Sequence, residues 1–130
     1  MDKKRILEAL GMMPVLETCE GINGLEEPEK FWAIYGKDDG DPYSTGSTEE
    51  QAIELLSLDA NFCFREIAPF VGSKGYSLRT GYDGAGYEAE IWDMRSMEPE
   101  DYEGFGSACD EENIETAILT AFESYLESKA

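Results

Sequence analysis

At 130 residues, 42% of them hydrophobic, the chain has the size of one compact domain and enough apolar material to fill a core. Its 29 Asp and Glu against 10 Lys and Arg give a formal net charge of −19, a field that repels nucleic acid and anionic membrane and attracts basic protein surfaces. Histidine is absent, which excludes Ser–His and Cys–His catalytic units and histidine-ligated zinc.

The first predicted element is a short helix over Asp2 to Leu10, with Ile6, Leu7 and Leu10 at helical spacing and Gly11 where a C-terminal cap belongs. Pro14 to Gly24 shows no clean period. Phe31-Trp32-Ala33-Ile34-Tyr35 is an apolar run bounded by Pro28 and Gly36, and reads as a strand or a single helical turn. Asp38 to Gly46 has loop chemistry throughout. A helix then follows, capped by Ser47 or Thr48, with Glu49 and Glu50 at the positive end of its dipole and Ala52, Ile53, Leu55 and Leu56 as its apolar stripe.

Ala60, Phe64, Ile67 and Val71 extend a period near that of a helix, which predicts a second helix from Ala60 towards Pro69. The alternation of Phe62 and Phe64 with Cys63 and Arg65 keeps a strand open as the alternative. Gly75 to Asp93 is the clearest hairpin: two alternating runs flank the turn residues Asp83-Gly84-Ala85-Gly86. Tyr76, Leu78, Tyr87, Ala89 and Ile91 belong to its core face, and Arg79, Glu88, Glu90 and Trp92 to its outer face. Glu98 to Asp110 reads as a second acidic loop. Ile114, Ala117, Ile118, Ala121, Phe122, Tyr125 and Leu126 then form the stripe of a closing helix, with Asp110, Glu111 and Glu112 at its dipole-favoured end.

The fold class is therefore α+β, in one acidic domain over residues 1–130. A small antiparallel sheet, the hairpin 75–93 with one or two further strands, packs with helices around 48–58 and 111–127. Aromatic residues recur in almost every segment, which argues against disorder despite the charge. No stretch approaches a membrane span, and Met1-Asp2-Lys3-Lys4-Arg5 places charge where a signal peptide would need an apolar core, so a cytoplasmic protein is expected. Cys19, Cys63 and Cys109 are odd in number and widely spaced, which fits reduced, mostly buried thiols rather than a disulfide framework.

The helix after Pro42-Tyr43-Ser44-Thr45, the two-stranded unit with Gly75-Tyr76-Ser77-Leu78 and Tyr87-Glu88-Ala89-Glu90-Ile91-Trp92, and the Ala-rich helix Glu115 to Phe122 resemble the phage ABA sandwich domain family over roughly residues 42 to 126. The resemblance implies a small phage-encoded or prophage-encoded protein acting in a bacterial cytoplasm. It carries no catalytic residues to transfer, and fold alone supplies no function.

Asp38, Asp39 and Asp41 invite a calcium reading, but counting an EF-hand from Asp39 places Tyr43 and Ser44 where an oxygen ligand and the turn glycine belong. Gly81 to Gly86 looks like a phosphate cradle, yet it leads into a strand pattern rather than a helix N-terminus. For catalysis only exposed carboxylate pairs remain, Glu88 with Glu90 or Glu98 with Asp101, and no feature separates their protonation. The sequence therefore points away from an enzyme, a metal and a cofactor, and fixes no oligomeric state. The expectation is a protein-interaction module, a phage accessory or anti-defence factor whose nucleic-acid-mimicking acidic surface meets a basic host protein. The competing expectation is a phage structural or accessory protein whose acidity serves solubility. The residues expected to bind are Asp38, Asp39, Asp41, Glu88, Glu90, Trp92, Glu98, Glu100, Asp101 and Glu103, with Trp92 as an aromatic anchor in an acidic field.

Overall fold

A computed structural model describes residues 2–19, 29–37, 40–95 and 103–129. The fold is α+β, with two three-stranded antiparallel sheets and helices packed on them. Contacts divide the chain into two compact units, Met1–Ser57 and Leu58–Ala130.

The first unit opens with α1 (Lys3–Leu10), capped at its start by Asp2, whose side chain accepts a hydrogen bond from the Arg5 N–H. Gly11, at φ +70°, ends it in the left-handed conformation, and the Met12 N–H reaches back to the Leu7 carbonyl. This is the reciprocal carbonyl capping that a glycine permits. Strands β1 (Val15–Cys19), β2 (Glu29–Ile34) and β3 (Ser44–Gly46) follow in that spatial order. The unpatterned start thus contains a strand, and Phe31 to Ile34 is a strand rather than a helical turn. The reading of Asp38 to Gly46 as loop throughout is corrected by β3, which forms because Ser44 to Gly46 pair with Trp32 to Ile34, although Ser44 and Gly46 have low strand propensity.

Helix α2 (Glu49–Leu55) has Thr48 as its N-cap, with Thr48 Oγ1 accepting from the Gln51 N–H at 3.0 Å. Its first turn lies directly on β3. A Cβ on Gly46 would stand 2.5 Å from the Ala52 nitrogen, so only glycine fits that crossing. Ala52 and Leu56 are buried, whereas Leu55, expected in the stripe, is 62% exposed. The helix is too short for its stripe to wrap that far. At the other end, Lys3 Nζ donates to the Glu54 and Leu56 carbonyls and ties α1 to the C-terminus of α2.

The second unit begins with α3 (Ala60–Phe62), a π-helical turn (Cys63–Ile67) and α4 (Ala68–Ser73), with Asp59 capping the start. The Ala68 N–H bonds to the Cys63 carbonyl five residues back, immediately before Pro69, which has no N–H to offer the helix. The extra residue in that turn shifts the buried face by one position. Phe62, Cys63, Glu66, Ile67 and Val71 are buried, and Phe64, expected in the stripe, is 47% exposed.

Strands β4 (Tyr76–Tyr82) and β5 (Tyr87–Asp93) form the expected hairpin, and β6 (Glu103–Glu111) completes the sheet in the order β4-β5-β6. Asp83 builds the turn: its Oδ1 accepts from the Ala85 and Gly86 N–H groups, and Gly84 adopts φ +89°. The reading of Glu98 to Asp110 as a loop is corrected from Glu103 onward, because Ala89 to Asp93 supply a complete antiparallel partner for a glycine-punctuated segment that has little strand pattern of its own. Helix α5 (Ile114–Lys129) begins after Asn113, whose side chain accepts from the Thr116 N–H. Asp110 and Glu111 are strand residues rather than its first turn. The helix packs on β5 and β6, burying Ala117, Ile118, Ala121, Phe122 and Tyr125 as expected, together with Leu119. Phe70 of α4 meets Phe122 edge-on at 5.9 Å, and Tyr76 of β4 meets Tyr125 at 5.0 Å, so the aromatic cluster joins helix, strand and helix.

Candidate functional site

Pairing across the β4–β5 hairpin sets the site. Ser77 stands opposite Trp92, Arg79 opposite Glu90, and Gly81 opposite Glu88, and strand alternation puts these pairs on the face away from Leu78, Ala89 and Ile91. The inner face is covered by α5. The outer face therefore carries Arg79, Glu88, Glu90 and Trp92 together, as the alternation predicts.

These side chains are organised. The Trp92 indole Nε1–H donates to Glu90 Oε2 at 2.6 Å, a charge-assisted bond that holds the ring along its own strand. The Arg79 guanidinium lies over the same ring, 5.4 Å from its centroid. Among the described residues, Arg79 forms no ion pair. Glu88 lies across Gly81: a Cβ there would come within 2.8 Å of Glu88 Oε1. Trp92 is flanked in the sheet by Ser77 on one side and Gly104 on the other, and the register shifts between Ile91 and Trp92. Its in-register neighbours among the described residues are thus both small. Arg79, Thr80, Glu88, Glu90 and Trp92 line a shallow cavity of about 170 Å³.

A somewhat larger hollow of about 220 Å³ lies in the first unit, lined by Leu10, Met12, Met13, Val15, Tyr35 and Lys37 among others. Its lining is mostly apolar and includes no carboxylate, so it does not pair an aromatic ring with acidic groups as the hairpin face does.

The remaining expected residues fall elsewhere. Asp38, Asp39, Glu98, Glu100 and Asp101 lie outside the described residues. Asp41 is exposed in the turn before β3, in the first unit. Glu103 opens β6 opposite Asp93. The structure thus gathers Glu88, Glu90 and Trp92 of the expected set and adds Arg79, whose stacking on Trp92 is the contact that residue types alone do not reveal. The signal for it was the hairpin register, which puts Arg79 beside Trp92 on the outer face. Among the described residues, no group of three or more His, Cys, Asp or Glu is arranged to hold a metal ion.

Of the described thiols, Cys63 is buried as expected and Cys109 is exposed, while the side chain of Cys19 lies outside the described residues. Cys109 lies near the end of β6, a segment without the apolar alternation that would have marked its face. Burial, reinforced by the nearby Glu115 and Asp59 carboxylates, pushes the Cys63 thiol up to about 12 and keeps it protonated and inert at neutral pH. Arg95 is the counter-case: Asp93 grips its guanidinium through two hydrogen bonds, raises its pKa further and holds it over the Tyr76 ring.

No family model, no curated protein and no solved structure matches the chain. Among the described residues, no helix is long and apolar enough to cross a membrane.

Proposed function

We propose that the protein is an interaction module that binds a basic protein partner through the outer face of the β4–β5 hairpin. The observation that carries this reading is the Trp92 indole, fixed by Glu90 and set beside Glu88 on the outer sheet face in a chain of net charge −19. An aromatic group held by a hydrogen bond loses little entropy on contact, and carboxylates around it supply charge complementarity to lysine and arginine surfaces. The host-directed form of the reading, a phage accessory or anti-defence factor working in the bacterial cytoplasm, rests on the family resemblance.

Charge-matched variants test it. Glu88→Gln with Glu90→Gln removes two charges from the hairpin face, and Glu8→Gln with Glu54→Gln removes two exposed charges from helices of the first unit. Binding of a short arginine-rich peptide at low salt is expected to weaken roughly tenfold for the hairpin pair and about twofold for the helical pair. Equal losses would show that the peptide reads net charge alone, and the acidity would then serve solubility.

A further inference from the structure

We infer that the Trp92 ring is a receptor for one arginine side chain of the partner, and that Arg79 occupies this receptor until the partner arrives. The inference rests on the proposed role of the hairpin face. Its own support is that the structure already displays a guanidinium on the ring: Arg79, from the neighbouring strand, lies 5.4 Å from the indole centroid. Among the described residues the in-register neighbours of Trp92, Ser77 and Gly104, are small, and its Nε1–H is satisfied by Glu90, so the ring face is what a cation meets.

Arginine is favoured over lysine by shape. A planar, weakly hydrated guanidinium can stack on an indole while its edge donates to a carboxylate, whereas an ammonium is a compact, strongly hydrated charge. Two carboxylates border the cavity for that edge. Glu90 spends Oε2 on Trp92, leaving Oε1, and Glu88 lies along Gly81 within the same cavity lining. Arg79 is exposed and stands directly opposite Glu90, so an incoming guanidinium competes with it for the same ring face. Arg79 then acts as a placeholder: it keeps the indole covered in the free protein and sets a threshold that a single stray cation does not pass.

The test compares variants that change charge by the same amount. Arg79→Ala uncovers the ring, and Lys4→Ala removes one exposed positive charge from α1. A short arginine-rich peptide is titrated into each, with a lysine peptide of equal charge as the second probe and Trp32→Phe as the common background so that Trp92 alone fluoresces. Arg79→Ala is expected to bind the arginine peptide about fivefold tighter than Lys4→Ala, with a larger change in Trp92 emission, and to bind the lysine peptide with no such advantage. Trp92→Leu should abolish the preference for arginine while retaining a weaker, salt-sensitive attraction. If Arg79→Ala and Lys4→Ala bind alike while the Glu88 and Glu90 variants still weaken binding, the placeholder is wrong and the interaction face stands. If the Glu88 and Glu90 variants also match their control, the proposed face itself fails. Equal gains for both peptides would overturn the arginine specificity.

Discussion

Two glycines on sheet edges test opposite physical arguments. At Gly46 an added methyl would meet the Ala52 nitrogen at 2.5 Å and the Gln51 carbonyl carbon at 2.9 Å, backbone atoms that can yield only if α2 moves off β3. Gly46→Ala should therefore destabilise the first unit by about 1–3 kcal/mol in urea denaturation. A loss near zero would mean that the helix is not seated on that strand. At Gly81 the nearest atom is the far end of the Glu88 side chain, which can swing aside, so Gly81→Ala should cost well under about 1 kcal/mol and act on binding through Glu88 instead. Cys63 gives a pH test at the same scale. Its folded-state pKa is raised above the ordinary thiol value, so its contribution is fully present below about 9 and is lost as pH rises towards about 12, where the unfolded chain releases its proton first. Over that window wild-type stability should fall more steeply than that of Cys63→Ala, by up to about 1 kcal/mol per pH unit. At about pH 8, alkylation should modify exposed Cys109 while Cys63 stays protected until unfolding. Matching slopes, or equal alkylation rates, would contradict the buried thiol.

The elements that pattern alone foretold are those whose period is unbroken. Helix α1, the hairpin and α5 each show caps or turn residues at the ends of a clean stripe, and each lies where its stripe places it. Strand β6 and strand β3 were not legible, because each is added to the strand before it without an apolar alternation of its own, and glycine, serine and acidic residues make up most of both segments. Phe64 shows a subtler failure. Its spacing from Ala60, Ile67 and Val71 fits an ideal helix, but the π-helical turn at Cys63–Ile67 inserts a residue and turns it to solvent. Phe62→Ala should accordingly cost about 3–5 kcal/mol, and Phe64→Ser should stay within about 1 kcal/mol. Comparable losses at the two positions would contradict the exposure of Phe64. Of the candidate site, the outer-face membership of Glu88, Glu90 and Trp92 could be read from alternation. The Arg79 stacking needs the hairpin register as well, because alternation assigns a face but not a contact between neighbours on it.

At the scale of the whole molecule, a charge of −19 guarantees attraction to many cations, so affinity by itself says little. What distinguishes recognition from general attraction is localisation on one aromatic group. The chain supplies its own internal control, since it holds two tryptophans: Trp92 lies on the outer hairpin face of the second unit, and Trp32 lies on β2 of the first. The most direct measurement follows the two indole N–H resonances, assigned through Trp32→Phe, while an arginine-rich peptide is titrated in. The account predicts a saturable shift of the Trp92 signal, moved to roughly tenfold higher peptide concentration in Glu88→Gln with Glu90→Gln, and a Trp32 signal that stays in place. Saturable binding that leaves Trp92 unmoved, or that moves both signals alike, would contradict it.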